Sequence, residues 1–317
     1  MIFLNGVQGV LSIILMIGIG YFLSFKGWFD QKSSKLISKL VVSVALPAYM
    51  ISNLMGTYDK DKLLHLGNGL VVPFLTMGSC YLLGMILAKV LKLPENRRGT
   101  FTSMFALSNT IFVGLPVNLA LFGDQSVPYV LLYYIGNTTL FWTIGTYGIS
   151  RDGGKKDKGL FTLDNAKRIF SPPLTGFLIA VALILLGVTL PKSIMETCKY
   201  LGNMTTPLSM LFIGIVIHSV KLSEIRVDKG MVAVLVGRFI ITPLVMIILC
   251  RGLALPLLMK KVFVVQAAMP VMTQTSIIAQ TYGGDYEYAA VVTTVTTVVS
   301  LISIPLYMLL LNTPWIF

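Results

Sequence analysis

Two stretches of the chain place polar side chains and a proline in the middle of otherwise apolar sequence. The residues there that could contact a ligand are Asn109, Thr110, Gly114 and Pro116 in the first stretch, and Met269, Pro270, Thr273, Gln274 and Ser276 in the second. Because a proline removes a backbone donor and clashes with the preceding turn, we expect a helix to break at each stretch. The second half of a broken helix begins with free N–H groups and partial positive charge, which suit an anion such as a carboxylate. The alternative is that the prolines only kink two helices that the polar groups join together.

Four more side chains could take part in binding or coupling. Arg238 lies within an apolar window, where its guanidinium could pair with a substrate carboxylate or with backbone carbonyls, or could reach the membrane surface. Asn137 and Tyr134 could line a cavity or form hydrogen bonds between helices. His218 could carry a coupling proton, because imidazole titrates near neutral pH, or could be a structural histidine.

The elements that position these residues are predicted to span a membrane. Of the 317 residues, 55% are hydrophobic and 12% are charged, whereas globular domains have about 25% charged residues. Ten windows with at most one Asp, Glu, Lys, Arg or His are 19 to 30 residues long, and a membrane-spanning helix needs about 20 apolar residues. The windows are 1–25, 40–58, 66–88, 99–123, 125–150, 169–191, 200–220, 230–250, 262–284 and 288–317.

The composition also argues against several other classes of protein. No carboxylate lies in the interior of a window, which argues against exchange of cations for protons. The three cysteines are widely separated and indicate neither a disulfide framework nor a metal site. Motifs for a nucleophile, a catalytic metal or a phosphate loop are missing from the sequence, so we expect no enzymatic activity and no cofactor. The net charge of +12 is explained by membrane orientation better than by nucleic acid binding.

The basic residues predict how the chain lies in the membrane. If the connection after the first window is cytoplasmic, the cytoplasmic connections hold 17 Lys and Arg residues and the outer ones hold 7. The positive-inside rule then places both termini outside a cell inner (plasma) membrane that the chain crosses many times. The most basic connection, 151–170, is predicted to be a cytoplasmic linker between residues 1–150 and 171–317, which have five windows each.

Five windows per half predict that a duplicated half would insert in the opposite orientation to its copy. Pro47 and Pro207 lie 160 positions apart, as do Gly123 and Gly283. Inverted repeats with interrupted segments in both halves are typical of secondary transporters. The predicted fold is therefore an all-α integral membrane protein. Its ten transmembrane helices form two inverted five-helix repeats, with broken helices in the fourth and ninth windows that cross.

Several segments, spread over nearly the whole chain, resemble one known family. They are Ser171–Leu174, Pro207–Gly214, Arg238-Phe239 with Pro243, Ala267–Pro270, Ala279–Asp285 and Ser300–Leu306. In this order they resemble the auxin efflux carrier family, which includes plant PIN-type carriers and bacterial malate and malonate permeases.

The resemblance implies an architecture similar to sodium/bile-acid symporters and sodium/proton antiporters. Windows 1, 2, 6 and 7 would form a scaffold that often dimerises, and windows 3–5 and 8–10 would form a moving domain. The asparagine and prolines of the family's crossover correspond to Asn109, Pro116 and Pro270. The second half has no asparagine beside Pro270, so Thr273 and Gln274 would supply its polar contacts.

The expected function is secondary active transport of a small organic anion by alternating access, most simply a dicarboxylate such as malate. A proton or sodium could be coupled, and the expected partners are the lipid bilayer and a second copy of the chain. A monocarboxylate, amino-acid or auxin-like carrier remains an alternative, as do a channel and a membrane ligand sensor that does not transport.

Overall fold

The computed structural model describes residues 2–60, 69–154, 169–219, 227–311 and 316–317, and these residues form helices and short connections. The helices are α1 (Ile2–Phe25), α2 (Gln31–Leu40), α3 (Leu46–Thr57), α4 (Val71–Val90), α5 (Arg98–Ala106), α6 (Leu115–Phe122), α7 (Val127–Leu140), α8 (Thr146–Asp152), α9 (Pro172–Leu185), α10 (Lys192–Asn203), α11 (Thr205–His218), α12 (Lys229–Val236), α13 (Thr242–Arg251), α14 (Leu257–Ala267), α15 (Gln274–Tyr282) and α16 (Tyr286–Leu311). Most of the predicted linker 151–170 lies outside the described residues.

Four short π-helical segments continue or connect these helices. They are Val41–Ala45 between α2 and α3, Thr110–Gly114 before α6, Phe141–Gly145 between α7 and α8, and Gly237–Ile241 between α12 and α13. Such segments are frequent at functional sites because they shift the direction of the side chains that follow. Two of the four contain predicted site residues.

Several helical stretches are long and apolar enough to cross a membrane. Within the described ranges, five reach full length: Lys32–Thr57, Val71–Val90, Lys192–His218, Lys229–Arg251 and Tyr286–Leu311. Leu11–Phe25, Thr110–Phe122 and Pro172–Leu185 are shorter apolar helices. The prediction of an all-α membrane protein is confirmed, while the count of ten spans and the inverted repeat stay predictions.

The helices pack in two groups. In the flanking group, which we define as α1–α3 with α9–α11, α1 packs along α11, and α3 packs against α9 and α10. In the crossover group, defined as α4–α8 with α12–α16, α4 packs against α5, α7 and α13, and α15 packs against α8 and α16. Glycines permit close approach of the helices in the flanking group, since an added Cβ at Gly176 would lie 2.7 Å from Pro47 Cα.

Charged side chains join the connections of the crossover group at one end. Arg97, which precedes α5, donates through Nε and Nη2 to Asp285 Oδ2 at 2.9 and 2.7 Å, and through Nη1 to Asp228 before α12. Asp152, at the end of α8, accepts from the backbone N–H of Gly99 at 2.7 Å. The connections before α5, after α8, before α12 and before α16 therefore lie on the same side of the molecule.

Candidate functional site

The two interrupted stretches meet at one point in the crossover group. Ser108 and Val271 form an isolated antiparallel bridge, and the backbone N–H of Asn109 donates to the carbonyl of Pro270 at 2.8 Å. Each stretch is thus a pair of half-helices joined by an extended link, and the two links cross. Both stretches are broken, as predicted, and Pro270 lies in the second link, but the first link ends at Asn109, seven residues before Pro116, so that break is not at the proline.

A side chain from the following helix braces each link. Asn137 of α7 accepts from Ser108 N at 2.9 Å and donates to Ser108 O at 3.0 Å. Thr296 of α16 accepts from Val271 N at 3.2 Å through its hydroxyl. Both bracing residues are fully buried, so they satisfy backbone groups that no water or lipid could reach.

The C-terminal ends of two half-helices, α5 and α14, converge on Arg238. Its Nε and Nη2 donate to Met269 O at 3.1 and 3.0 Å, and Nη2 also donates to Ala267 O at 2.7 Å. Nη1 donates to Phe105 O at 3.4 Å. The guanidinium is fully buried and pairs with backbone carbonyls, which is one of the alternatives that the sequence left open.

A cavity of about 280 Å³ lies where the other two half-helices begin. Its lining comes from both helix groups. The flanking group contributes Val42 and Phe170–Pro173, and the crossover group contributes Ser108–Phe112, Tyr134, Thr138, Trp142 and Met272–Gln274. None of these described lining residues is charged, and aromatic rings form part of the wall.

Polar groups are concentrated where the helical segments starting at Thr110 and Gln274 reach the cavity. Asn109 caps the first segment, because its Oδ1 accepts from Phe112 N at 3.1 Å. Its Nδ2 donates to Thr273 Oγ1 at 3.4 Å. Gln274 Oε1 is buried without a hydrogen-bond partner among the described residues. In that part of the chain no side chain caps the first turn of α15. Its N–H groups are therefore available for an anion, apart from that of Thr275, which donates to Met272 O at 3.0 Å.

The structure brings only some of the predicted site residues to the cavity. Those on its lining are Asn109, Thr110, Tyr134, Thr273 and Gln274. Those off the lining are Gly114, Pro116, Asn137, Met269, Pro270, Ser276, Arg238 and His218. Most of the second set supports the crossover, as Asn137 and Arg238 do.

Three of these residues have local roles that explain their types. Pro116 lies in the first turn of α6, directly after the π-helical segment Thr110–Gly114. Gly114 faces Gln266 so closely that an added Cβ would lie 2.2 Å from Gln266 Oε1. Ser276 points toward α16, with its hydroxyl 3.3 Å from Thr293 Oγ1.

His218 lies at the end of α11, between aromatic rings of α1. Its ring centroid is 5.3 Å from that of Tyr21 and 6.4 Å from that of Phe25, both in edge-on geometry. This packing corresponds to the structural alternative for His218 and gives it no place on the cavity lining.

Several lining residues were not among the predicted site residues. Ser171 is one of them, and its hydroxyl oxygen lies 2.7 Å from that of the predicted Tyr134, a contact that joins the two helix groups across the cavity. Ser171, Pro172 and Pro173 belong to a segment that carries the family resemblance, but nothing else in the sequence predicts that they line a cavity. Trp142 and Phe112 are apolar side chains within predicted spans, where nothing in the sequence separates a cavity wall from a lipid-facing or packed side chain.

Comparison with known proteins agrees with this architecture. Residues 6–308 match the family model described as "Membrane transport protein". An uncharacterized transporter of Methanocaldococcus jannaschii is 29% identical over 302 residues, covering 94% of this chain and 96% of that protein. An uncharacterized transporter of Methanothermobacter thermautotrophicus is 27% identical over 319 residues, covering 98% and 100% of the two chains. The chain belongs to the membrane transport protein family, which is the auxin efflux carrier family.

Proposed function

We propose that the protein is a secondary active transporter that moves a small organic anion across the membrane by alternating access. The observation that carries the proposal is the cavity between the two helix groups, at which two helical segments begin. Each helix N-terminus carries about half a positive elementary charge. With side-chain amides and hydroxyls around them, the two ends suit a carboxylate.

The position of the cavity between the groups supports alternating access. If the crossover group moves relative to the flanking group, the cavity opens to one side and then to the other. Polar contacts between the groups would break and form again in each cycle. Besides the Tyr134–Ser171 contact, Tyr49 of α3 donates to Asp124 Oδ1 at 2.7 Å, just after α6.

Matching features in residues 1–150 and 171–317 support the proposed inverted repeat of ten spans. Gly123 ends α6 with φ of 71° and Gly283 ends α15 with φ of 82°. These glycines lie 160 positions apart, and each uses a backbone conformation that favours glycine. The braces from Asn137 and Thr296 occupy matching places as well.

We place the carrier in the plasma membrane with both termini outside. The basic connections favour this orientation. The contacts of Arg97, Asp152, Asp228 and Asp285 at one end support the alternation of spans on which it rests, because the assignment puts all four connections on the same side.

A dicarboxylate such as malate is the proposed substrate, following the resemblance to bacterial malate permeases. A monocarboxylate is the second candidate. It is favoured by the uncharged lining of the cavity in the described chain and by the commitment of Arg238 to carbonyls, which leave a second carboxylate without a cation.

Uptake of radiolabelled L-malate into proteoliposomes, with unlabelled mono- and dicarboxylates as competitors, tests the proposal. Saturable malate uptake that dicarboxylates inhibit supports the first candidate. Inhibition and uptake of monocarboxylates alone support the second. Substrate binding without flux of any acid would contradict transport and favour a sensor, and a measurable single-channel conductance would favour a channel.

A further inference from the structure

The guanidinium of Arg238 is a full positive charge buried at the crossover, and backbone carbonyls hold it. The three oxygens belong to Phe105, Ala267 and Met269. In the described part of the chain, carboxylates form their ion pairs elsewhere and none pairs with Arg238. A buried charge without a partner is very costly, so these carbonyls must supply its counter-charge.

The local structure explains how the side chain arrives there. Arg238 belongs to the π-helical segment Gly237–Ile241. The residue before it must be small, because an added Cβ at Gly237 would lie 2.3 Å from Phe105 Cε2. This close approach brings the segment against the end of α5, where Thr242 also donates to Phe105 O at 3.4 Å.

The charges balance at the crossover. The C-terminal ends of α5 and α14 each carry about half a negative elementary charge, so together they offset the single positive charge of the guanidinium. The two N-terminal ends at the cavity are then left with about one positive charge in total. One negative charge bound in the cavity would therefore bring the total charge of the helix ends, the guanidinium and the ligand close to zero.

In carriers with broken helices, carbonyls at half-helix C-terminal ends are the groups that coordinate a coupling cation. Here the guanidinium already occupies the carbonyls of both ends. We infer that Arg238 is a tethered cation that takes the place of a coupling sodium ion at the crossover, so that the carrier folds and binds its substrate without sodium. The inference deepens the proposed function, since it specifies how the same site is coupled.

The first test compares the purified full-length wild-type protein in sodium, potassium and N-methyl-D-glucamine chloride at equal ionic strength. We expect the same midpoint of thermal unfolding in all three salts. Stabilisation by sodium alone, saturating with sodium concentration, would show a real sodium site and overturn the inference.

The second test replaces the tethered cation. Arg238→Ala should lower the midpoint of thermal unfolding by roughly 5–10 °C, because the carbonyls of two helix ends lose their counter-charge. Millimolar guanidinium or sodium chloride should restore part of the loss, and Arg238→Lys should be less destabilised than Arg238→Ala.

Arg251→Ala is the matched control, because Arg251 also donates to a backbone carbonyl, that of Ile316, away from the crossover. We expect neither cation to restore its stability selectively. The same response to guanidinium and sodium in both variants would overturn the inference. If Arg238→Ala does not fold, the wild-type comparison still decides the question. Both tests measure stability rather than flux, so a failure of the transport proposal would appear separately in the uptake assay.

Discussion

Asn109 Nδ2 donates to Thr273 Oγ1 across 3.4 Å, and this bond joins the starts of two helical segments that are distant in sequence. Asn109 also caps its own segment through Oδ1. One amide therefore fixes the distance between the two positive helix ends that face the cavity. A ligand that binds both ends would depend on this spacing.

Removing an amide from the cavity should weaken binding. We expect Asn109→Ala or Gln274→Ala to raise the half-saturating substrate concentration about tenfold, which corresponds to one hydrogen bond of about 1.4 kcal/mol. The measurement is the concentration dependence of uptake into proteoliposomes. Gln125→Ala is the matched control, because the Gln125 amide is exposed and donates to Phe122 O, away from the cavity. Wild-type half-saturation in both cavity variants would contradict the assignment of the site.

Removing the brace from the first link should destabilise the fold. In Asn137→Ala, the backbone N–H and carbonyl of Ser108 both lose their side-chain partner inside the protein. We expect a loss of about 1–3 kcal/mol, the cost of one buried group left unpaired, because Ser108 O still accepts from Thr110 N at 3.0 Å. Thermal unfolding of the purified variant measures it, with Asn203→Ala at the exposed end of α10 as the control. Equal midpoints of thermal unfolding for Asn137→Ala and Asn203→Ala would show that the Asn137 side chain does not stabilise the fold.

A methyl group at position 114 should push Gln266 away from the crossover. We expect Gly114→Ala to cost about 1–3 kcal/mol through overpacking, because its Cβ would lie 2.2 Å from Gln266 Oε1. Gln266→Ala should relieve part of this cost, so the double variant should lose less stability than the two single variants combined.

Gly78→Ala is the control for this pair, since nothing lies within 4 Å of the Cβ that it adds on α4. That change should be neutral or stabilising by up to about 1 kcal/mol from helix propensity. Strict additivity of Gly114→Ala and Gln266→Ala would show that the predicted clash does not occur.

The ion pair between Arg97 and Asp285 should show a measurable coupling energy. Their side chains are only 22% and 20% exposed, and Arg97 also lies 4.1 Å from the ring centroid of Tyr288. A double-mutant cycle with Arg97→Gln and Asp285→Asn should give a coupling of about 1–2 kcal/mol in thermal unfolding. The exposed pair Lys192–Glu196, at 3.7 Å, is the control and should give about 0.3–0.5 kcal/mol. Equal couplings for the two pairs would contradict the prediction.

The sequence predicted the all-helical membrane fold and the places where two helices break. Prolines and polar side chains inside apolar windows are local signals, and they identified Asn109, Thr110, Thr273 and Gln274, which line the cavity. The same reasoning could not distinguish the residues that line the cavity from those that stabilise the crossover behind it. That division depends on which helix packs behind the crossover, as the contact of Asn137 with Ser108 shows.

Contacts between distant segments explain the features of the site that could not be predicted from the sequence. Arg238 could have faced a substrate or a carbonyl, and the close approach at Gly237 decided between them. Val42 and Ser171 reach the cavity because the flanking group packs beside the crossover. The hydrophobic pattern within their own windows does not predict that packing.

The bridge between Ser108 and Val271 also determines the order in which the molecule can be assembled. Its two residues are 163 positions apart, whereas Asn137 follows Ser108 after only 29 residues. During synthesis, which proceeds from the N-terminus, the side chain of Asn137 is therefore available to Ser108 well before Val271 has been made. An unsatisfied backbone group is costly inside a bilayer, and Asn137 can pair with the N–H and carbonyl of Ser108 before the second link exists. The lining of the cavity is completed only once Met272–Gln274 have been made.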